Sequence, residues 1–310
     1  MIKKMAGRLA GVMLLLCVSA QPAFALFDYT KTQYPIVLTH GLFGWDSIHG
    51  FDYFFLVPQA LQISGAKVYV TQVSATNGVA ERGEQLLRQV EDIVALSGSG
   101  KVNLVGHSQG GMDARYVAAV RPDLVASVTT VGSPHKGSAV ADLLLTLAPA
   151  DTVPGSISNL VGSAAGTLID LLSEGGKPQS FLNALGSLST SGAAAINQQY
   201  PAGIPTSDCG SGATSGPNGM RFYSWGGVGQ LTTVIDPSDA ALLALGLAFG
   251  FEANDGLVGR CSNHFGQVLR DDYLQNHLDE INQLAGLVSP LSNPLPLYRI
   301  QANRLKQAGL

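Results

Sequence analysis

The stretch Val102–Gly111, VNLVGHSQGG, restricts the possible folds more than any other part of the chain. Val102 to Val105 form an apolar-rich run of the length of a short buried strand. They lead into Gly106-His107-Ser108-Gln109-Gly110, a G-x-S-x-G pentapeptide. Met112, Tyr116, Ala119 and Val120 then recur at helical spacing. Strand, sharp turn and helix in that order hold a nucleophilic serine above the edge of a sheet. Glycines two residues before and after the serine keep side chains out of a turn whose backbone is strained. In that geometry the Gln109 N–H points to where charge develops on an attacked carbonyl.

The segments around this stretch repeat its architecture. Tyr34–Thr39 reads as a strand ending in His40-Gly41. The apolar loop Leu42-Phe43-Gly44-Trp45 follows, and Gly41 allows the tight turn that would bring the Leu42 N–H towards Ser108 as a second oxyanion donor. Val68–Val73 and Val125–Val131 read as further strands, and Met220–Gly226 as a late one. Arg82–Leu96 is an amphipathic helix with Leu86, Val90, Ile93 and Val94 on one face. Strands alternating with helical patterns predict βαβ crossovers and a mostly parallel sheet.

From 139 to 188 no strand pattern occurs, and the segments Val140–Leu147, Ile157–Leu172 and Phe181–Leu188 predict a helical cap. It is either packed permanently on the sheet or carries a mobile lid, with Ile157, Leu160, Val161, Leu168 and Leu172 on its apolar face. Asn197–Asn218 reads as an irregular excursion, Ala240–Phe249 as a helix capped by the Asp236–Asp239 run, and a last basic helix starts from Leu297. No repeat or linker divides 26–310, so one domain is expected.

Residues 1–25 read as a secretory signal. Lys3, Lys4 and Arg8 precede the apolar run Leu9–Ala20, and Ala23-Phe24-Ala25 is a small-x-small cleavage site. Removal takes three of the 18 basic residues and none of the 22 acidic ones, so the mature surface is acidic and unsuited to nucleic acid. Only 13% of residues are charged, about half the usual share, which implies exposable apolar surface. No later stretch is long and apolar enough to span a bilayer, so the mature chain is expected to be soluble. Cys209 and Cys261 are the cysteines left after cleavage, and in an oxidising compartment they most simply pair.

Ser108 needs a base, and the base needs an anion. After Ser108 come His135, His264 and His277. His135 has no suitable acid between it and the serine, which leaves His264 and His277. Asp236, Asp239, Asp255, Asp271 and Asp272 are the candidate acids. Asp255 lies in a tight Asn-Asp-Gly turn, whereas Asp236 and Asp239 look like helix caps.

YPIVLTHGLFG, KVNLVGHSQGG, YVAAVRPDL, SPHKGS, DPSDA, ANDGLVG and NHLDEINQ together resemble the Pseudomonas lipase family almost end to end. These are secreted, foldase-dependent bacterial triacylglycerol lipases of α/β-hydrolase fold. The resemblance implies Ser108 as nucleophile, Asp255 as acid, His277 as base, and the N–H groups of Leu42 and Gln109 as oxyanion hole. It further implies a calcium ion on Asp236, Asp279 and the carbonyls of Gln283 and Leu287, a Cys209–Cys261 disulfide, and a lid between about Asp151 and Glu174. The partners it implies are a lipid–water interface carrying triacylglycerol and a membrane-anchored foldase. A monomer is expected.

Overall fold

The computed structural model describes residues 27–44, 47–48, 51–147, 180–233 and 235–310. The expected signal at 1–25 and the expected lid at 151–174 lie outside the described residues. Six strands form one parallel sheet: β1 (Ile36–Thr39), β4 (Val68–Thr71), β5 (Val102–His107), β6 (Val125–Val131), β7 (Arg221–Gly227) and β8 (Gln267–Tyr273). Their order is β4-β1-β5-β6-β7-β8. The chain enters the sheet at β1, moves outward to β4, then crosses back to β5. The strand order therefore reverses direction beside β1, and the crevice at the carboxyl ends of β1 and β5 is where such sheets place ligands. A small hairpin, β2 (Ser47–Ile48) with β3 (Phe51–Asp52), stands apart from this sheet.

The central strands β1, β5 and β6 are buried along their whole length, and their sequences are accordingly rich in apolar and β-branched residues without charge. Neighbouring side chains point to opposite faces. Ile36, Leu38 and Val105 enter one core with Leu61, Leu245, Tyr298 and Trp225, while Val37 and Leu104 enter the other with Leu86, Val90, Val117 and Phe222.

The helices fall close to the expected ranges. α1 is Val57–Gln62, α2 Val79–Ser97, α3 Gln109–Val120, α4 Ala139–Leu147 and α5 Phe181–Leu188. α6 (Thr190–Gln199), α7 (Asp239–Gly246) and α8 (Pro294–Gln307) complete those described. Among the described residues no helix is long and apolar enough to cross a membrane.

Two elements differ from the sequence reading. α6 takes the first residues of the stretch read as irregular. Its Ser, Gly and Ala content hides the helical period, and the Ser189 hydroxyl caps it by accepting the Gly192 N–H at 3.0 Å. β8 had no strand signature because Arg270, Asp271 and Asp272 interrupt any alternation. It is an edge strand with alternating exposed and half-buried residues, where charge discourages pairing with other chains. Cys209 and Cys261 are joined, with Cα atoms 4.8 Å apart, which ties the 200–218 excursion to the turn before β8.

Candidate active site

Ser108 leaves β5 with φ 54° and ψ −128°, and α3 begins at the next residue. A non-glycine residue held at positive φ costs about 1–3 kcal/mol, so its surroundings must enforce it. The Ser108 N–H donates to the Val131 carbonyl at 2.8 Å, fastening the turn to β6. A Cβ on Gly106 would collide with the Gly110 carbonyl, and one on Gly110 with the Thr39 carbonyl. The two glycines of the pentapeptide therefore let the helix start directly against β1 and β5.

Gly41 brings the loop after β1 to the same place. A Cβ there would sit 2.7 Å from the Ser108 Cβ and 2.8 Å from the Tyr53 hydroxyl. The Gly41 N–H donates to that hydroxyl at 3.0 Å, and the Phe43 N–H donates to Ala75 O at 2.7 Å. Between these two anchors lies Leu42. Gln109 occupies the first turn of α3, where a helix leaves its N–H groups without intrahelical partners. The Gln109 amide donates from Nε2 to Asn77 O at 2.7 Å, holding the loop before α2.

Asp255 and His277 come from different loops and meet. Asp255 Oδ2 accepts from His277 Nδ1 at 2.7 Å, while its Oδ1 accepts the N–H groups of Leu257 and Val258 at 2.8 and 2.7 Å. The His277 N–H returns to Asp255 O at 2.9 Å. With Nδ1 donating, the imidazole presents Nε2 as an acceptor. Ser108 and His277 border one cavity of about 90 Å³, otherwise lined mainly by apolar side chains such as Leu42, Leu144, Leu185 and Leu257.

The alternatives left open by the sequence are engaged elsewhere. His264 is held by two acceptors, with Nδ1 2.9 Å from Gly210 O and Nε2 2.9 Å from Asp271 Oδ2, and it does not line that cavity. Asp272 pairs with Arg270 at 2.5 Å. Asp239 accepts the N–H groups of Thr232 and Thr233, each at 2.9 Å, and Asn276 Nδ2 at 2.9 Å.

Three residues that sequence reasoning passed over sit behind Asp255 and His277. The Tyr53 hydroxyl, already accepting from Gly41, donates to His107 Nδ1 at 2.7 Å. His107 Nε2 faces Glu280 Oε2 at 3.4 Å, and Glu280 Oε1 accepts the Gly227 N–H at 2.6 Å. All three side chains are buried. Burial, followed by the charge of Asp255, pushes the Glu280 carboxyl well above its ordinary range. Burial and then His277 push His107 well below its own. Both shifts favour the uncharged forms, and the row connects the loop after β1 to the segment carrying His277. The available signal was position: His107 directly precedes Ser108, and Glu280 lies three residues beyond His277.

Asp236 and Asp279 show the pattern expected of cation ligands. Asp236 Oδ1 accepts the Ser238 N–H and hydroxyl at 2.7 Å each, yet its Oδ2 is buried without a partner. Asp279 Oδ2 takes weak bonds from Asn276 and Ser289, and its Oδ1 is likewise buried and unpartnered. Burial, helped by the Asp236 charge, raises the Asp279 carboxyl to about 7. Two buried carboxylate oxygens without partners, on side chains close enough for the charge of one to act on the other, fit a hard divalent cation such as calcium. Gln283 and Leu287 lie in the same run of turns, and among the described residues neither carbonyl accepts a backbone hydrogen bond.

Comparison with known proteins bears on the fold and the family. The family model of the alpha/beta hydrolase fold matches residues 34–214. A triacylglycerol lipase of Vibrio cholerae is 56% identical over 285 residues, covering 91% of this chain and 90% of that one. A triacylglycerol lipase of Pseudomonas fragi is 43% identical over 296 residues, covering 91% and 99%. A crystal structure of a Bacillus licheniformis lipase in mature form superposes with a TM-score of 0.59 at 21% identity, covering 87% of this chain and 91% of that one, which supports the fold. Fold and site thus define an α/β hydrolase. Within that class the chain belongs to the bacterial lipase family that its motifs resembled.

Proposed function

We propose that this protein is a secreted triacylglycerol lipase that hydrolyses long-chain carboxylic esters through Ser108, His277 and Asp255. The observation that carries the reading is the Asp255–His277 pair at 2.7 Å, whose imidazole borders one apolar cavity with a serine at positive φ. His277 Nε2 takes the Ser108 hydroxyl proton as Oγ attacks the ester carbonyl, and Asp255 holds the imidazolium that forms. The N–H groups of Leu42 and Gln109 receive the oxyanion, and each such donor is worth about 2.7–4 kcal/mol in comparable sites. His277 then returns the proton to the departing alcohol. Water, deprotonated by the same nitrogen, hydrolyses the acyl-enzyme and frees the acid.

Calcium, when bound by Asp236, Asp279 and the carbonyls of Gln283 and Leu287, supplies a structural crosslink. Asp279 is two residues from His277, so the ion would fix the approach of the base without touching the ester. The apolar sequence Ile157–Leu172 supports a lid that turns its apolar face towards lipid. The signal-like residues 1–25 support export, with folding assisted by a membrane-anchored foldase.

The test is hydrolysis of a long-chain triacylglycerol emulsion compared with a short soluble ester by the mature enzyme and by Ser108→Ala. The expected result is preference for the emulsion and loss of both activities in the variant, by about a million-fold in kcat. Substantial residual turnover in Ser108→Ala would remove the serine from its role. A preference for the soluble ester would make the enzyme an esterase.

A further inference from the structure

A second cavity, of about 310 Å³, lies on the α3 face of the sheet between Arg115, Ala119, Tyr200, Pro201, Phe222 and Phe265. It shares no lining residue with the Ser108 cavity. Its mouth is formed by the exposed residues Ala119, Pro201 and Ala202. Arg115, only 3% exposed, is the one charged residue among the described residues of its lining.

Each partner of Arg115 is neutral. One terminal nitrogen is 3.1 Å from His135 Nδ1. The other donates to Asn197 Oδ1 at 2.9 Å and to Tyr200 O at 2.8 Å. Nε is buried without any partner, and the Phe265 ring lies 5.5 Å from the guanidinium carbon. His135, from the SPHKGS motif, is kept neutral by burial and by the Arg115 charge, so its Nδ1 accepts and its Nε2 donates to Thr130 Oγ1 at 3.0 Å.

Arg82 shows what the chain does elsewhere with the same problem. It is fully buried and paired with Asp113 at 2.8 Å. Among the described residues Arg115 has no carboxylate within ion-pair distance. Burial without a counter-charge brings its pKa down to about 9, which still leaves it charged at neutral pH. A buried charge is normally paired.

We propose that this cavity binds the carboxylate of a short acyl chain, with Arg115 as the counter-cation. A single buried positive charge matches a monoanion, whereas a dianionic phosphate would leave excess charge among apolar walls. With the terminal nitrogens engaged by His135, Asn197 and Tyr200, the Nε–H is the donor left without an acceptor, and a carboxylate oxygen is a charge-matched acceptor for it. Most of the remaining lining, including Ala118, Ala119, Phe222 and Phe265, offers an acyl chain apolar contact, with Gln199 and Tyr200 adding polar groups. The site does not depend on the catalytic reading.

Calorimetric titration of octanoate into the mature enzyme, its Ser108 blocked beforehand with an alkyl phosphonate, tests the proposal. Saturable binding at one site is expected. Arg115→Met should weaken it by about tenfold or more, as expected for loss of a charge-assisted bond. Ala119→Trp, at an exposed mouth position, should abolish it while leaving thermal stability unchanged. Acetate, which lacks the chain, should bind far more weakly, and inorganic phosphate should not compete. Absence of saturable binding, binding unchanged in Ala119→Trp, or full competition by phosphate would each overturn the proposal. If Arg115→Met does not fold, Ala119→Trp decides, and it also decides if Ser108 resists the phosphonate.

Discussion

Ser108 keeps its unfavourable backbone because Gly106 and Gly110 allow β5, α3 and β1 to close around it, and the Val131 carbonyl fixes its N–H. The strain is thus held by neighbours that are buried and close-packed. At this scale the choice of base is sharply testable. His277→Ala should lower kcat by several orders of magnitude, because the proton of Ser108 then has no acceptor. His264→Ala should leave kcat near that of the parent, because its imidazole serves Gly210 and Asp271. Steady-state kinetics on a soluble ester decide, and the reverse ranking would move the triad. Tyr53→Phe makes a second prediction. It strands both the Gly41 N–H and His107 Nδ1 in a buried place, at about 1–3 kcal/mol for an unsatisfied group. Because Gly41 adjoins the proposed Leu42 donor, kcat should fall by about tenfold with KM little changed. A variant with lower melting temperature but unaltered kcat would make Tyr53 structural only.

Between elements, buried charges do the joining. Arg82 of α2 donates from Nε to Asp113 of α3 at 2.8 Å, from one terminal nitrogen to His40 O at 2.7 Å, and from the other to Ser74 O. Arg82→Met would leave the Asp113 carboxyl buried and alone, and should cost about 3–5 kcal/mol of stability in a urea titration. The segment carrying His277 joins through its own carboxylates. A ligand specific to the folded state adds about 2.7 kcal/mol at a hundredfold excess over Kd. For a domain of this size that corresponds to about 5–10 °C in Tm. Chelation should therefore lower Tm by that order, and added calcium should restore it. Asp279→Asn should abolish the calcium-dependent shift. In chelator it should be more stable than the parent, since it no longer opposes Asp236 in a buried place. Differential scanning calorimetry with and without calcium reads both signs, and a variant that responds to calcium like the parent would place the ion elsewhere.

On the scale of the molecule, the sheet presents one apolar cavity at the carboxyl ends of β1 and β5, with α4 and α5 on its rim through Leu144, Leu185 and Leu188. The stretch 157–172 lies in sequence between these two helices. If it covers the cavity and opens on lipid, Leu160→Ser combined with Leu168→Ser should reduce activity on emulsions several-fold more than on soluble esters. Equal losses on both substrates, together with a lower melting temperature, would show a fixed cap.

Local order along the chain was enough to read the elbow at Ser108, the strands that precede and follow it, the amphipathic α2 and the cysteine pairing. Each rests on short-range spacing, on the apolar demands of a doubly covered sheet, or on the two cysteines that lie beyond the expected signal. The choice of Asp255 and His277 over their rivals needed either family likeness or coordinates, because the two residues are separated by a crossover through β8. β8 itself escaped notice, since an edge strand is half solvated and its charges break the alternation. The polar row of Tyr53, His107 and Glu280, and the unpaired Arg115, were decided by tertiary structure. Burial and partnering arise only when distant segments exclude water around the same atoms, and no periodicity in the sequence encodes which polar side chains that will enclose.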